Sequence, residues 1–504
     1  MPVNRQIELA RAYHAGTAHS PRSVRAEGHV LDWEIKPAPF KIYPDLPAVP
    51  LPRDLPALEI DTLAALAGAA GDPCPLDLDR LASLLFFSAG VTRRKAYPGG
   101  GEMYFRAAPS TGALYQTEVY VVAGAVAGLA PGVYHFCPGD FALRRLREGD
   151  FRGAMAVAAA DDGVGRAPAT LVLTGLYWRN AWKYGARAYR HLFWDSGTML
   201  ANALAAAAAL GLGARTVMGF VDREIHGLLG LDPGKEAALV LLPVGPEGAS
   251  AGPPPVVVPL QHRVVPLSSS EVEYPAVQAA HADSCLASAA EVIEWRESPA
   301  PPPASGAEPA LPALPSPRGA AGRGLRATIL ARGSTREFSG EAISAEALST
   351  ALKHATRPWP GDAPSGLVDL YVNVHAVDGL GPGTYYYRRQ AHALEPLREG
   401  DVRRDSAFLC LEQPLGGQSS ATVFFLADLG AVLARFGNRG YRLGNLEAGL
   451  VGGRLYLAAY AQRFGATGLT FYDDAVVAFL SPHAAGKDAI FVTALGRPVA
   501  RPRQ

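Results

Sequence analysis

Apolar residues recur at helical spacing over Leu76–Ala89 and Ile343–Ala355, and Ser344, with Glu346 behind it, offers the second stretch a side-chain N-cap. Six short runs rich in branched residues read as strands: Val119–Gly124, Leu171–Leu176, Leu239–Val244, Leu370–Val374, Thr422–Leu426 and Ile490–Leu495. Leu192–Leu212 and Leu446–Phe464 are long apolar helices, and Ala276–Trp295 is a short one. Small residues on the long pair (Gly197, Ala201, Gly449, Gly452, Gly453) predict a close helix–helix contact. Helices and strands are intermixed throughout.

The pattern occurs twice. Leu146-Arg-Glu-Gly-Asp150 returns as Leu397-Arg-Glu-Gly-Asp401, an offset of 251, and Pro131-Gly-Val-Tyr-His-Phe136 answers to Pro382-Gly-Thr-Tyr-Tyr-Tyr387 in the same register. Tyr184-Gly-Ala-Arg-Ala-Tyr-Arg190 answers to Phe436-Gly-Asn-Arg-Gly-Tyr-Arg442 at 252, while Phe220, Asp222 and Gly245 match Phe471, Asp473 and Gly496 at 251. So long a period excludes a solenoid, whose units run about 20–50 residues. It implies two related domains, at 61–250 and 326–504, behind an N-terminal strap over 1–60 lying on the surface. A connecting segment over 251–325 holds a Pro- and Ala-rich stretch, 298–324, expected to be a mobile tether.

The length of 504 residues and a 49% hydrophobic content allow cores of this size. Lys+Arg and Asp+Glu balance at 47 each, so net charge argues for neither nucleic acid nor an anionic membrane as partner. Four dispersed cysteines (Cys74, Cys137, Cys285, Cys410), without C-x-x-C spacing, point to a reducing compartment and to no metal site. The first residues carry no basic start followed by an apolar run, and Met199–Leu212 is too short to span a bilayer; the expectation is a cytoplasmic protein.

Three segments carry candidate chemistry. Arg332-Gly-Ser-Thr-Arg-Glu-Phe338 groups two guanidiniums and a hydroxyl, a donor set suited to phosphate, although a solvated basic turn has the same spacing. Ala107-Ala-Pro-Ser-Thr-Gly-Ala-Leu114 is a loop of small residues through which backbone can approach a planar ligand. Lys183-Tyr-Gly-Ala-Arg-Ala-Tyr-Arg190 places a Lys–Tyr pair before two arginines on one helical face. Either member could move a proton, with Arg187 and Arg190 expected to lower its pKa. His14 and His19 lack a metal-binding context, and no G-x-S-x-G element or dinucleotide fingerprint is present.

Together these segments resemble the nitroreductase-like FMN enzymes, and among them the SagB-type, azoline-oxidase branch. Arg332-x-Ser334-x-Arg336-x-Phe338 is similar to the family's flavin-phosphate motif, the Arg106–Leu114 segment to its Pro-Ser loop, and Lys183–Arg190 with Asp195-Ser-Gly197 to the SagB-type signature. The resemblance implies an α+β fold: two tandem domains, each a mixed, mainly antiparallel sheet flanked by helices, forming within one chain the dimer that the family builds from two. It implies FMN bound between the copies by Arg332, Ser334 and Arg336 from one, and by Pro109, Ser110, Thr111, Gly112 and Leu114 from the other, with Arg497 as a further phosphate ligand. Lys183 and Tyr184 would be catalytic. Copy 1 lacks a basic motif over Asp61–Pro75, and copy 2 reads Arg435-Phe436 in place of Lys-Tyr, so one complete cleft and one flavin are expected. The implied activity is dehydrogenation of a peptide-borne azoline or small heterocycle, with a cyclodehydratase complex as partner and O2 or NAD(P) as electron partner. An NAD(P)H-dependent nitro or quinone reductase and a flavin-binding scaffold are the alternatives.

Overall fold

A computed structural model describes residues 2–26, 30–97, 101–298, 311 and 313–500. Each copy is built on a six-stranded sheet. In the first the spatial order is Ala48–Pro50, Ala142–Glu148, Gly132–Cys137, Thr117–Ala123, Ala169–Leu176, Glu236–Val244. In the second it is Ala393–Glu399, Gly383–Arg388, Asp369–Val374, Ala421–Ala427, Asp488–Gly496, Gly465–Gly468. Every neighbouring pair in both sheets is antiparallel. The central strands are buried on both faces, which is why they read as continuous apolar runs rather than alternating ones. The expected helices form at Leu78–Ala89 and Ala345–Ala355, and Ser344 caps the latter by accepting from Ala347 N.

The long helices Ala188–Ala209 and Arg439–Ala461 pack directly on one another. A methyl group placed on Gly197 would lie 2.4 Å from Leu446 O, and one on Gly449 would lie 2.2 Å from Trp194 O, so the backbones touch only because these positions are glycine. Trp194 Nε1 donates to Asn445 Oδ1 across the same contact at 2.8 Å.

Two reciprocal ion-pair clusters relate the copies by a pseudo-twofold. Asp473 of the second copy accepts from Arg187 and Arg190 of the first, at 2.9 and 2.6 Å, and from His19 N at 2.8 Å. Asp222 of the first copy accepts from Arg439 and Arg442 of the second, at 2.6 and 2.7 Å, and from Leu286 N at 2.9 Å. The backbone around them corresponds as well: Arg190 donates to the carbonyl of His14 and to Thr17 Oγ1, and Arg442 to the carbonyl of His281 and to Ser284 Oγ.

The structure corrects two expectations. The N-terminal region is not only a surface strap: Glu8–Gly16 is a helix whose Ala10, Tyr13 and His14 are buried between the copies. Ala276–Trp295 is two helices, Pro275–Asp283 and Ala289–Arg296, the first standing where Glu8–Gly16 stands in the other half. In the tether over 298–324, residues 299–310 and 312 lie outside the described residues. Its described end is pinned, Asp61 accepting from the backbone N–H groups of Ala321, Gly322 and Arg323. Among the described residues no helix is long and apolar enough to cross a membrane.

Candidate active site

A cleft of about 250 Å³ opens between the copies, lined from the first by Pro109–Ala113, Lys183, Tyr184, Trp194, Asp195 and Thr198. The second contributes Ser334, Arg336, Gln413, Leu415, Tyr456, Thr467–Thr470 and Phe491. Three separated sequence motifs therefore meet in one place.

The loop at Pro109 is held in an unusual conformation. Gly112, Ala113 and Tyr115 have φ of 62°, 56° and 52°, and for the two non-glycine residues this costs about 1–3 kcal/mol each. Asp195, on the long helix, secures the loop. Its carboxylate accepts from Ser110 Oγ (2.5 Å), Thr111 N (2.9 Å), Thr111 Oγ1 (2.7 Å) and Gln116 Nε2 (2.6 Å). Thr198 Oγ1 adds a bond to Pro109 O at 2.8 Å. The hydroxyls of Ser110 and Thr111 are thus engaged with Asp195, and this loop meets the cleft through its backbone and carbon atoms.

Lys183 and Tyr184 end the helix Tyr177–Tyr184. The Tyr184 ring stands edge-on to His191, 4.6 Å between centroids, and its hydroxyl lies against Gly112, where an added Cβ would come within 2.8 Å. Burial lowers the Lys183 pKa and Arg336 lowers it further. Burial, with Asp195 second, raises the Tyr184 pKa against the opposing pull of Arg336. Arg187 and Arg190 play no part in either shift, because both guanidiniums are bound to Asp473. The expectation that they tune the pair is corrected.

The phosphate motif divides between two tasks. Arg336 reaches the cleft and makes no hydrogen bond or ion pair to a described residue, and Ser334 Oγ lies 3.2 Å from Tyr456 Oη. Arg332 does not line the cleft. It is buried and donates to the carbonyls of Ala107 (2.9 Å) and Arg106 (2.8 Å), stapling the first copy's loop from the second. Arg497 is exposed and bonds Ala342 O, and Leu114 packs with the cluster around Trp178 and Trp182; neither joins the cleft lining. An unpaired guanidinium and a hydroxyl at one wall, facing a loop without large side chains at the other, suit a planar group carrying a phosphate.

The pseudo-equivalent cleft is filled. Thr216–Gly219 correspond to the lining residues Thr467–Thr470, and Pro360-Gly361-Asp362 of the second copy lies on them. Thr216 N donates to Pro360 O at 3.0 Å and Asp362 N to Thr216 O at 3.1 Å. The Asp362 carboxylate takes Met218 N and Gly219 N at 2.7 and 2.8 Å, with Arg296 at 3.3 Å. Asp222, His281 and Cys285 also converge, but Asp222 already binds two guanidiniums, which a metal ion would have to displace.

The nitroreductase family model matches residues 57–246 and again 329–496. The chain belongs to the nitroreductase family. It is a tandem member, an oxidoreductase of a flavin-using class, and the double match agrees with the SagB-type tandem read from the sequence. A Methanocaldococcus jannaschii protein named as a nitroreductase, MJ1384, is 33% identical over 172 residues, covering 34% of this chain and 81% of that one. The trifolitoxin-processing protein TfxB of Rhizobium leguminosarum bv. trifolii is 30% identical over 205 residues, 39% of this chain. The match spans 54% of TfxB, about half its length. A crystal structure from Anabaena variabilis, described as a nitroreductase, superposes with a TM-score of 0.77 at 27% identity, over 97% of this chain and 99% of that one.

Proposed function

We propose that the protein is an FMN-dependent dehydrogenase that aromatises azoline rings, thiazoline or oxazoline, carried on a peptide. The observation that carries this reading is the Lys183–Tyr184 pair: two adjacent titratable groups at one cleft whose environments push their pKa values in opposite catalytic directions. Similarity to a protein named for toxin processing supports a modified-peptide substrate. Arg336 and Ser334 would hold the phosphate end of FMN, and the Pro109–Gly112 backbone its ring. Bound there, FMN supplies a hydride acceptor.

Aromatisation removes a proton from one ring carbon and a hydride from its neighbour. Lys183, with its ammonium form disfavoured, takes the proton at Nζ. Tyr184 stays a phenol and donates a hydrogen bond that orients the substrate. The Pro109–Gly112 loop and Trp194 exclude water from the ring. With the second cleft filled by its own chain, one flavin binds per chain. Incubating FMN-loaded protein with a thiazoline peptide tests the reading: product lighter by two hydrogens supports it, and no change in mass refutes it. The family membership itself favours a second reading, NAD(P)H-dependent reduction of nitro compounds or quinones, which a steady-state assay with those substrates separates.

A further inference from the structure

The two copies anchor the loops before the matching strands Thr117–Ala123 and Asp369–Val374 with an acid at the same helical position, Asp195 in the first and Glu447 in the second, 252 residues apart. Glu447 accepts from Gly366 N, Leu367 N and Val368 N at 2.9, 3.0 and 3.3 Å, with Arg389 at 3.7 Å to balance its charge. Asp195 is equally buried, yet forms no ion pair among the described residues. The guanidiniums nearest in sequence are bound elsewhere, Arg179 to Glu118 and Arg187 and Arg190 to Asp473. A buried carboxylate without a cation is costly. The copy that bears that cost is the one whose loop faces the open cleft. In the filled half, where no chemistry is placed, Arg389 offsets part of that cost, though burial still raises the Glu447 pKa.

We infer that Asp195 is a positioning residue. As a carboxylate it clamps the left-handed loop against which the Tyr184 hydroxyl rests. The inference rests on the reading that Tyr184 serves the chemistry. The clamp requires the ionised form: Ser110, Thr111 and Gln116 present four donors, and a protonated acid can no longer accept from all of them.

Burial raises the Asp195 pKa to about 6, with the bonds from Ser110 and Thr111 pulling the other way. The groups facing it are Tyr184 at the end of its helix, His191 one turn back on its own helix, and Lys183 and Arg336 across the mouth of the cleft. His191 is held neutral because burial keeps its pKa well below the ordinary value. The clamp is therefore intact at neutral pH and released as the pH falls through about 6.

The test compares FMN-loaded wild type, Asp195→Asn and Glu447→Gln. The first readout is substrate-free, the absorbance and fluorescence of bound flavin between pH 5 and 8. The second is kcat and KM across the same range. Wild type should show a spectral transition with its midpoint near 6. Asp195→Asn should keep its flavin, lose that transition, and show kcat reduced about tenfold to a hundredfold with little change in KM, as expected for a misplaced catalytic group. Glu447→Gln should lose stability and retain the transition. A transition that persists unchanged in Asp195→Asn, or that vanishes equally in Glu447→Gln, overturns the inference. If wild type does not turn over azolines but the transition still depends on Asp195, the proposed substrate is wrong and the clamp stands.

Discussion

Replacing Asp473 by asparagine should destabilise the chain more than any single surface change, by an amount the structure bounds in two ways. Its carboxylate, 2% exposed, holds Arg187 and Arg190 across the interface between the copies. Removing one partner of a buried ion pair typically costs about 3–5 kcal/mol, because it leaves uncompensated charge in a dry site. Burial alone would raise the Asp473 pKa, yet Arg190 and Arg187 bring it from 3.8 to about 2. At about 1.4 kcal/mol per unit this corresponds to roughly 2–3 kcal/mol in favour of the ionised folded form. Because the folded value is depressed, the contribution is fully present above about pH 4 and is lost as the pH falls through about 2. Denaturant unfolding at neutral pH is the assay. Asp473→Asn should lose about 2–5 kcal/mol, a large share of a typical 5–15, and Asp222→Asn should behave alike. Unfolding midpoints equal to wild type would refute the reciprocal-clamp account.

Four other outcomes follow from the site. Lys183→Ala and Tyr184→Phe should each lower turnover about a hundredfold or more with flavin content unchanged, and the Lys183 variant should lose the limb along which the rate rises with pH. Gly112→Ala should mimic Tyr184→Phe in kcat, since the new methyl would displace the phenol. Arg336→Ala should weaken FMN binding about tenfold or more, whereas Arg332→Ala should lower the unfolding midpoint, having lost two charge-assisted bonds worth about 1.5–3 kcal/mol each. Asp362→Ala should cost about 1–3 kcal/mol by stranding two backbone donors, and the flavin-to-chain ratio should stay at one.

Periodicity made the duplication, the paired long helices and the central strands legible, because a buried strand and a close-packed helix leave their marks in composition. The true extent of the duplication was hidden by a change of register. His14, Thr17 and His19 correspond to His281, Ser284 and Leu286 at an offset of 267, and only beyond the paired strands Val91–Ala96 and Glu102–Arg106, which the described residues of the second copy lack, does the offset settle at 251–252. Spacing also could not tell which arginine of Arg332–Arg336 turns outward: one is drawn to two buried carbonyls and the other is left at the cleft. Arg187 and Arg190 looked like neighbours of the Lys–Tyr pair because they are near in sequence, but the helix turns them toward the other copy. Asp195 stood inside the recognised signature, and what it holds became visible only with the loop folded over it.

The central claim, that one cleft per chain removes a proton with Lys183 and a hydride with its bound flavin, is tested most directly by a single anaerobic turnover. FMN-loaded protein is mixed with excess thiazoline peptide without oxygen or nicotinamide, and flavin reduction is followed by its visible absorbance. The account predicts full bleaching of one flavin per chain, one thiazole formed for each, and bleaching slowed about a thousandfold in Lys183→Ala. A flavin that stays oxidised in the presence of the peptide but bleaches rapidly with NAD(P)H would contradict it.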